Sequence, residues 1–213
     1  PRVGPEDGHG GVDQVVELVG AVRDAVGPGI ELMLDAWSGW DLPFTLAVAR
    51  ATRDLDLAWI EEPLLADQRG GYASLRRRLP EGVRIAGGEH EYTRWGYADL
   101  IDDDVLDLYQ PDPHWAGGIS ETVKIMAQIS AAGGQLVPHG QSLQCNAALT
   151  FAASPAVIPQ MEYLARLMPM YQHFLRHPIT PTAGAISAPT LPGLGMAMDE
   201  STIVSSRVLG GEG

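Results

Sequence analysis

Short apolar runs that end in carboxylates recur along this chain at a nearly fixed interval. The first is Glu31-Leu32-Met33-Leu34-Asp35, the next Trp59-Ile60-Glu61-Glu62-Pro63, and the third Ile85-Ala86-Gly87-Gly88-Glu89-His90-Glu91. Brief apolar stretches bounded by loop residues read as buried strands. The spacing predicts six of them, at 31–35, 57–61, 83–89, 107–112, 135–139 and 157–163. Helical stretches lie between. Val12, Val15, Val16, Val19, Val22 and Val26 repeat at helical spacing, and Gly27-Pro28-Gly29 stops them. Further helices are expected from near Pro43 and over 72–79, 97–102, 120–132 and 145–153, with residues 1–11 a Gly/Pro-rich loop. Strand and helix alternate throughout, the pattern of a parallel α/β sheet with crossover helices. The strand tips lie roughly 23–28 residues apart, about one unit of a (β/α)8 TIM-type barrel. No Gly-rich phosphate fingerprint follows a strand, which argues against a dinucleotide fold.

Six units leave such a barrel incomplete at its N-terminal side. The chain begins Pro1-Arg2-Val3, without methionine or signal peptide, so it is expected to start inside a longer protein. The net charge of -13 and the absence of a basic stripe exclude nucleic acid as a partner. No apolar run approaches the ~20 residues of a membrane span. Cys145 is the single cysteine, which leaves no intrachain disulfide and fits a cytoplasmic setting. Its Ala-rich surroundings point to packing.

The chemistry is expected at the strand tips. In order these are Asp35, Glu61, Glu89, Asp112, His139 and Glu162. In a barrel they converge on one face. Any one of these acids has a bland reading as a helix cap or solvated loop carboxylate; six polar tips in register do not. Acids from three successive strands, with no thiolate, suit Mg2+ or Mn2+ held by Asp35, Glu61 and Glu89. Open coordination positions then fit a substrate carboxylate, whose neighbouring carbon loses a proton to a base. Lys124 is the only lysine and falls on a helix. Of the six histidines only His139 ends a strand, with Asp112 at the preceding tip to fix its tautomer. Glu162, protonated, is placed to hydrogen-bond a developing enediolate; its alternative role is a salt bridge to Arg166. His90, directly after Glu89, is a candidate substrate contact. Glu62 is expected to face away from the mouth, His9 to sit in a flexible loop, and His114, His173 and His177 to be solvated.

Several motifs carry a resemblance. They are Leu34-Asp35-Ala36-Trp37, Trp59-Ile60-Glu61-Glu62-Pro63-Leu64, Gly88-Glu89-His90-Glu91-Tyr92-Thr93-Arg94 and Gln110-Pro111-Asp112. With them go Gly117-Gly118-Ile119-Ser120-Glu121, Val137-Pro138-His139-Gly140, Met161-Glu162-Tyr163 and Pro192-Gly193-Leu194-Gly195. Together they resemble the barrel domain of the enolase superfamily, in its mandelate racemase subgroup. The Gly-Glu-His-Glu-Tyr-Thr-Arg run is similar to the L-rhamnonate dehydratase-like group. The resemblance covers nearly the whole chain. It implies residues 1–167 as a partial barrel domain, 168–213 as a tail packing on the barrel or on a capping domain, and an N-terminal capping domain lying outside this sequence. It implies Asp35, Glu61 and Glu89 as Mg2+ ligands, His139 as base with Asp112, and Glu162 at the substrate. The implied reaction is dehydration of a sugar acid to a 2-keto-3-deoxy acid, in a full-length protein that is a homo-oligomer. A racemase or epimerase stays open, since its second base would come from outside these residues; so does an inactive fragment. Pro113-His114 departs from the small or apolar residues expected after Asp112 and bears on substrate identity.

Overall fold

The computed structural model describes residues 3–207. A 3-10 turn over Pro5–Asp7 leads into helix α1 (Gly8–Val26), which buries Val15 and Val19. The helix therefore starts inside the segment expected as loop, and His9 stands exposed in its first turn. Gly27, at φ 74°, ends it. Arg23 ties that end to the next units: its guanidinium donates to the carbonyls of Gly27, Ile30, Leu55 and Asp56 at 2.7–3.0 Å.

There follow β1 (Leu32–Asp35), α2 (Leu42–Ala51), β2 (Leu57–Glu61), α3 (Arg69–Arg76), β3 (Arg84–Gly87) and α4 (Thr93–Asp102). Then come β4 (Leu108–Tyr109), α5 (Pro113–Ala116), α6 (Ile119–Ala131), β5 (Gln135–Leu136), α7 (Leu143–Ala152) and α8 (Met168–Tyr171). Two helix starts show their cause: the carboxylates of Asp41 and Asp112 each accept a first-turn backbone N–H, from Phe44 and His114, at 2.8 Å. A proline occupies the first turn after each.

All five strands are parallel and lie in sequence order, β1-β2-β3-β4-β5. An order that never reverses leads each helix back to the next strand along, as in a barrel and unlike a doubly wound sheet. The side chains separate accordingly. Ile60, Ile85, Tyr109 and Leu136 pack toward the helices with Leu46, Tyr97, Ile125 and Ile129. Trp59, Ala86, Leu108 and Val137 meet on the other face with Met33. Among the described residues no helix is long and apolar enough to cross a membrane.

The sixth expected strand, 157–163, is not one. The segment runs beside β5 through two backbone bonds, Leu136 N–H to Val157 at 2.8 Å and Glu162 N–H to Pro138 at 3.3 Å. Pro159 offers no N–H, and the turn in which Val157 and Ile158 bond Ser154 displaces the chain, so no continuous ladder forms. In the tail, Gln172 is buried and bonds Ile179 and Gln144, which fastens α8 to α7. Single bridges, Leu175 with Met198 and Thr182 with Ala185, are its only pairings among the described residues. The last of the tail, 208–213, lies outside those residues.

Ile85 is fully buried between sheet and helices. Replacing it with alanine removes buried methyl groups and leaves a cavity, so Ile85→Ala should cost about 2–5 kcal/mol in urea unfolding.

Candidate active site

Period-2 alternation along the strands builds the site. Two positions beyond the inward residues Met33, Trp59, Leu108 and Val137 stand Asp35, Glu61, Gln110 and His139. The apolar interior thus passes into a polar mouth within one side-chain layer. On β3 the register breaks: Gly88, at φ 108°, turns the chain so that Glu89 reaches the mouth. A side chain at Gly88 would press on Tyr97, whose hydroxyl donates to the Gly88 carbonyl at 2.5 Å.

The mouth encloses a cavity of about 390 Å3. Asp35, Glu61, Glu89, His90, His139 and Glu162 all line it, together with Trp37, Trp115, Gln141, Leu164, Leu167 and Tyr171. Every expected metal-ligating and substrate-contacting residue is therefore at one place, and Asp112 stands behind His139. The Asp112 carboxylate is 1 % exposed and accepts from His139 Nδ1 at 2.7 Å. Its other oxygen accepts from the His114 N–H at 2.8 Å and from the Ser142 hydroxyl. His139 Nε2 faces Glu89 at 3.3 Å and Glu162 at 4.0 Å. Glu162 accepts from the Gly140 N–H at 2.7 Å, and no ion pair with Arg166 is present among the described residues. His114, His173 and His177 are exposed, as expected, and Cys145 packs buried in α7.

Glu62 does not line the mouth, as expected. It lies behind it beside Tyr72, Gly88 and Leu106, is 2 % exposed, and accepts from His90 Nδ1 at 2.8 Å. Glu62, Glu89 and His90 are the group whose potential ligand atoms lie within 4.8 Å of one another. That closeness reflects the Glu62–His90 hydrogen bond, which occupies Nδ1 with a proton. Asp35, Glu61 and Glu89 line one cavity, but among the described residues they do not form such a group. Sequence reasoning missed Ser142, Asn146 and Gln110. Asn146 is fully buried and donates to the His139 carbonyl, and Gln110 donates to Glu61. Gln110 was legible from its place two residues after Leu108; Ser142 and Asn146 carried no signal.

Crowding sets the electrostatics. Burial, reinforced by the charges of Glu162, Asp35 and Glu89 against a Gln110 hydrogen bond, pushes Glu61 up to about 8. Burial pushes Glu89 up to about 7, with His139 opposing. Asp35 and Glu162 are raised by burial as well. Burial alone would lower His139, but the Asp112 hydrogen bond and the charges of Glu89 and Glu162 outweigh it and push the imidazole up to about 9. Burial alone would raise Asp112; bonds from His139, Ser142 and the His114 N–H hold it below the usual carboxylate range instead. Three hard oxygen donors that resist ionisation together fit a divalent cation, which removes the repulsion.

These shifts give stability a direction. The folded chain keeps a proton on Glu61 above its ordinary value of 4.5 and releases it near about 8, so that contribution is full at low pH and is lost as pH rises. Glu89 acts alike up to about 7, and His139 from 6.5 to about 9. In chelator, Tm should fall between about pH 6 and pH 9, and Glu61→Gln, which cannot ionise, should flatten the lower part of the fall. A Tm that rises across this range would contradict the charge crowding.

Comparison with known proteins agrees with this fold. The model of the enolase C-terminal domain-like family matches residues 2–202. An L-rhamnonate dehydratase of Saccharopolyspora erythraea is 35% identical over 202 residues, covering 92% of this chain and 51% of that protein. The rhamnonate dehydratase of Gibberella zeae, solved with Mg, superposes with a TM-score of 0.83 at 31% identity, over 92% of this chain and 50% of that one. The L-talarate dehydratase of Polaromonas sp. JS666, solved with Mg and L-glucarate, gives 0.76 at 31%, over 89% and 51%. A 3,6-anhydro-D-galactonate cycloisomerase of Zobellia galactanivorans gives 0.80 at 30%, over 89% and 54%. The chain spans about half the length of these relatives. With its sequential parallel sheet, its polar strand tips and a family match over nearly every residue, the chain belongs to the enolase C-terminal domain-like family, as an incomplete (β/α)8 barrel.

Proposed function

We propose that this chain carries the catalytic part of a Mg2+-dependent sugar-acid dehydratase acting on L-rhamnonate or a similar aldonate. The observation that carries the reading is the Asp112–His139 pair opening onto a cavity shared with Asp35, Glu61 and Glu89. The likeness to rhamnonate and talarate dehydratases supports it.

In this reading Asp35, Glu61 and Glu89 hold the cation, with Mg2+ favoured and Mn2+ accommodated by the same oxygens. Bound there, the metal supplies charge neutralisation to the substrate carboxylate. His139 Nε2 takes the proton from the carbon beside that carboxylate. Asp112 keeps the Nδ1 proton in place, so Nε2 is the basic atom, and stabilises the imidazolium that results. Glu89 helps hold His139 protonated; once its charge is engaged, the imidazole is freed toward its neutral, basic form. Glu162, its carboxyl raised by burial, donates a hydrogen bond to the enediolate oxygen. The C3–O bond then breaks. The leaving hydroxyl takes the proton from His139 and departs as water, and the enol tautomerises to the 2-keto-3-deoxy acid. The same proton abstraction also serves an isomerising reaction, a second reading that the likeness to a cycloisomerase supports.

His139→Asn should lower formation of 2-keto acid at least about 10³-fold while Mg2+ still binds by calorimetry. Asp35→Asn should weaken Mg2+ binding itself. Equal loss of metal affinity in both variants would overturn this division of roles. Release of an isomer without water would favour the second reading.

A further inference from the structure

We propose that Glu62 is a positioning residue that sets His90 to bind a hydroxyl group of the substrate. The inference rests on the sugar-acid reading of the cavity.

Glu62 follows Glu61 at a φ of 37°, sparsely populated for a residue with a side chain. It lies behind the mouth, beside Tyr72, Gly88 and Leu106. There its carboxylate is 3 % exposed, with His90 Nδ1 at 2.8 Å and the Ser38 hydroxyl at 3.3 Å. A carboxylate accepts, so Nδ1 carries the ring proton whatever the charge of the ring. Nε2 is then the polar atom left for a ligand, and it has no protein partner among the described residues. The ring is steadied by Trp115, edge-on at 5.4 Å, and Trp115 in turn stacks on Tyr92 at 6.2 Å. His90 lines the same cavity as His139.

The chemistry selects a hydroxyl. A hydroxyl donates to neutral Nε2 or accepts from Nε2–H, so it fits either state. A substrate carboxylate needs an imidazolium and would stand beside two like charges, Glu62 and Glu89, the latter 3.7 Å from Nδ1. A cation shared with Glu62 at Nδ1 would need the lone pair that the Glu62 bond has already committed.

The test has two arms on the full chain with Mg2+. In the first, ¹⁵N-histidine NMR of the parent should give the Nδ1–H tautomer at His90, and Glu62→Gln, whose amide both donates and accepts, should erase that preference. An Nε2–H tautomer in the parent overturns the proposal without any variant. In the second, L-rhamnonate is titrated against analogues that each lack one hydroxyl. The parent should disfavour one analogue about tenfold or more. Glu62→Gln and His90→Phe, each checked by a cooperative melt, should collapse that one ratio toward unity and leave the others. Unchanged ratios in both variants overturn the inference while the sugar-acid reading stands, and a collapse in His90→Phe alone overturns the role of Glu62. If the parent binds no aldonate with Mg2+ present, the sugar-acid reading fails and this inference fails with it.

Discussion

Four carboxyl groups and two imidazoles share one cavity, and nothing among the described residues neutralises all the carboxyls at once. Asp35, Glu61, Glu89 and Glu162 each resist ionisation because of burial, and for Glu61 the other three add their charge. The sheet enforces this crowding. Its strands are parallel and sequential, so their C-terminal ends face one way, and residues two positions past the inner core must meet at the mouth. A fold pays for such a cluster in stability, and a bound cation returns it. Packing beneath the mouth, from Trp59, Ala86, Leu108 and Val137, gives the carboxylates no room to retreat inward.

Two imidazoles face the same glutamate from different walls. His139 approaches Glu89 through Nε2 and His90 through Nδ1. Each has a buried carboxylate at its own Nδ1, Asp112 for one and Glu62 for the other. The surroundings differ. Asp112 is fixed by three donors and held ionised, which gives His139 a stable partner through a cycle of protonation. Glu62 has His90 and Ser38, and the His90 ring lies against Trp115, which suits a fixed contact more than proton exchange. In the proposed function, one side of the cavity transfers a proton and the other holds a ligand.

Much of this was legible in the residues. Alternating apolar runs and helical stretches gave the parallel sheet, and the terminal residue of each run gave Asp35, Glu61, Glu89, Asp112 and His139. These follow from a period of two and a period of 3.6, which local sequence carries. What failed depended on the backbone leaving those periods. Pro159 and the Ser154 turn removed the sixth strand, and α1 ran on through glycines that composition marked as loop. The Glu62–His90 bond was not legible either, because a positive φ at a glutamate has no sequence signature. Ser142 and Asn146 reach the dyad from the start of α7, through contacts long in sequence that no pattern announces.

The most direct test is a thermal melt of the chain at about pH 8, with and without millimolar Mg2+, for the parent and for Glu89→Gln. Ligand that binds only the folded state must raise Tm. If the crowded carboxylates form a cation site, Mg2+ raises the Tm of the parent, and the rise shrinks or vanishes in the variant. A sharp melt that ignores Mg2+ in the parent, or an equal rise in both proteins, would contradict a metal site built on Glu89.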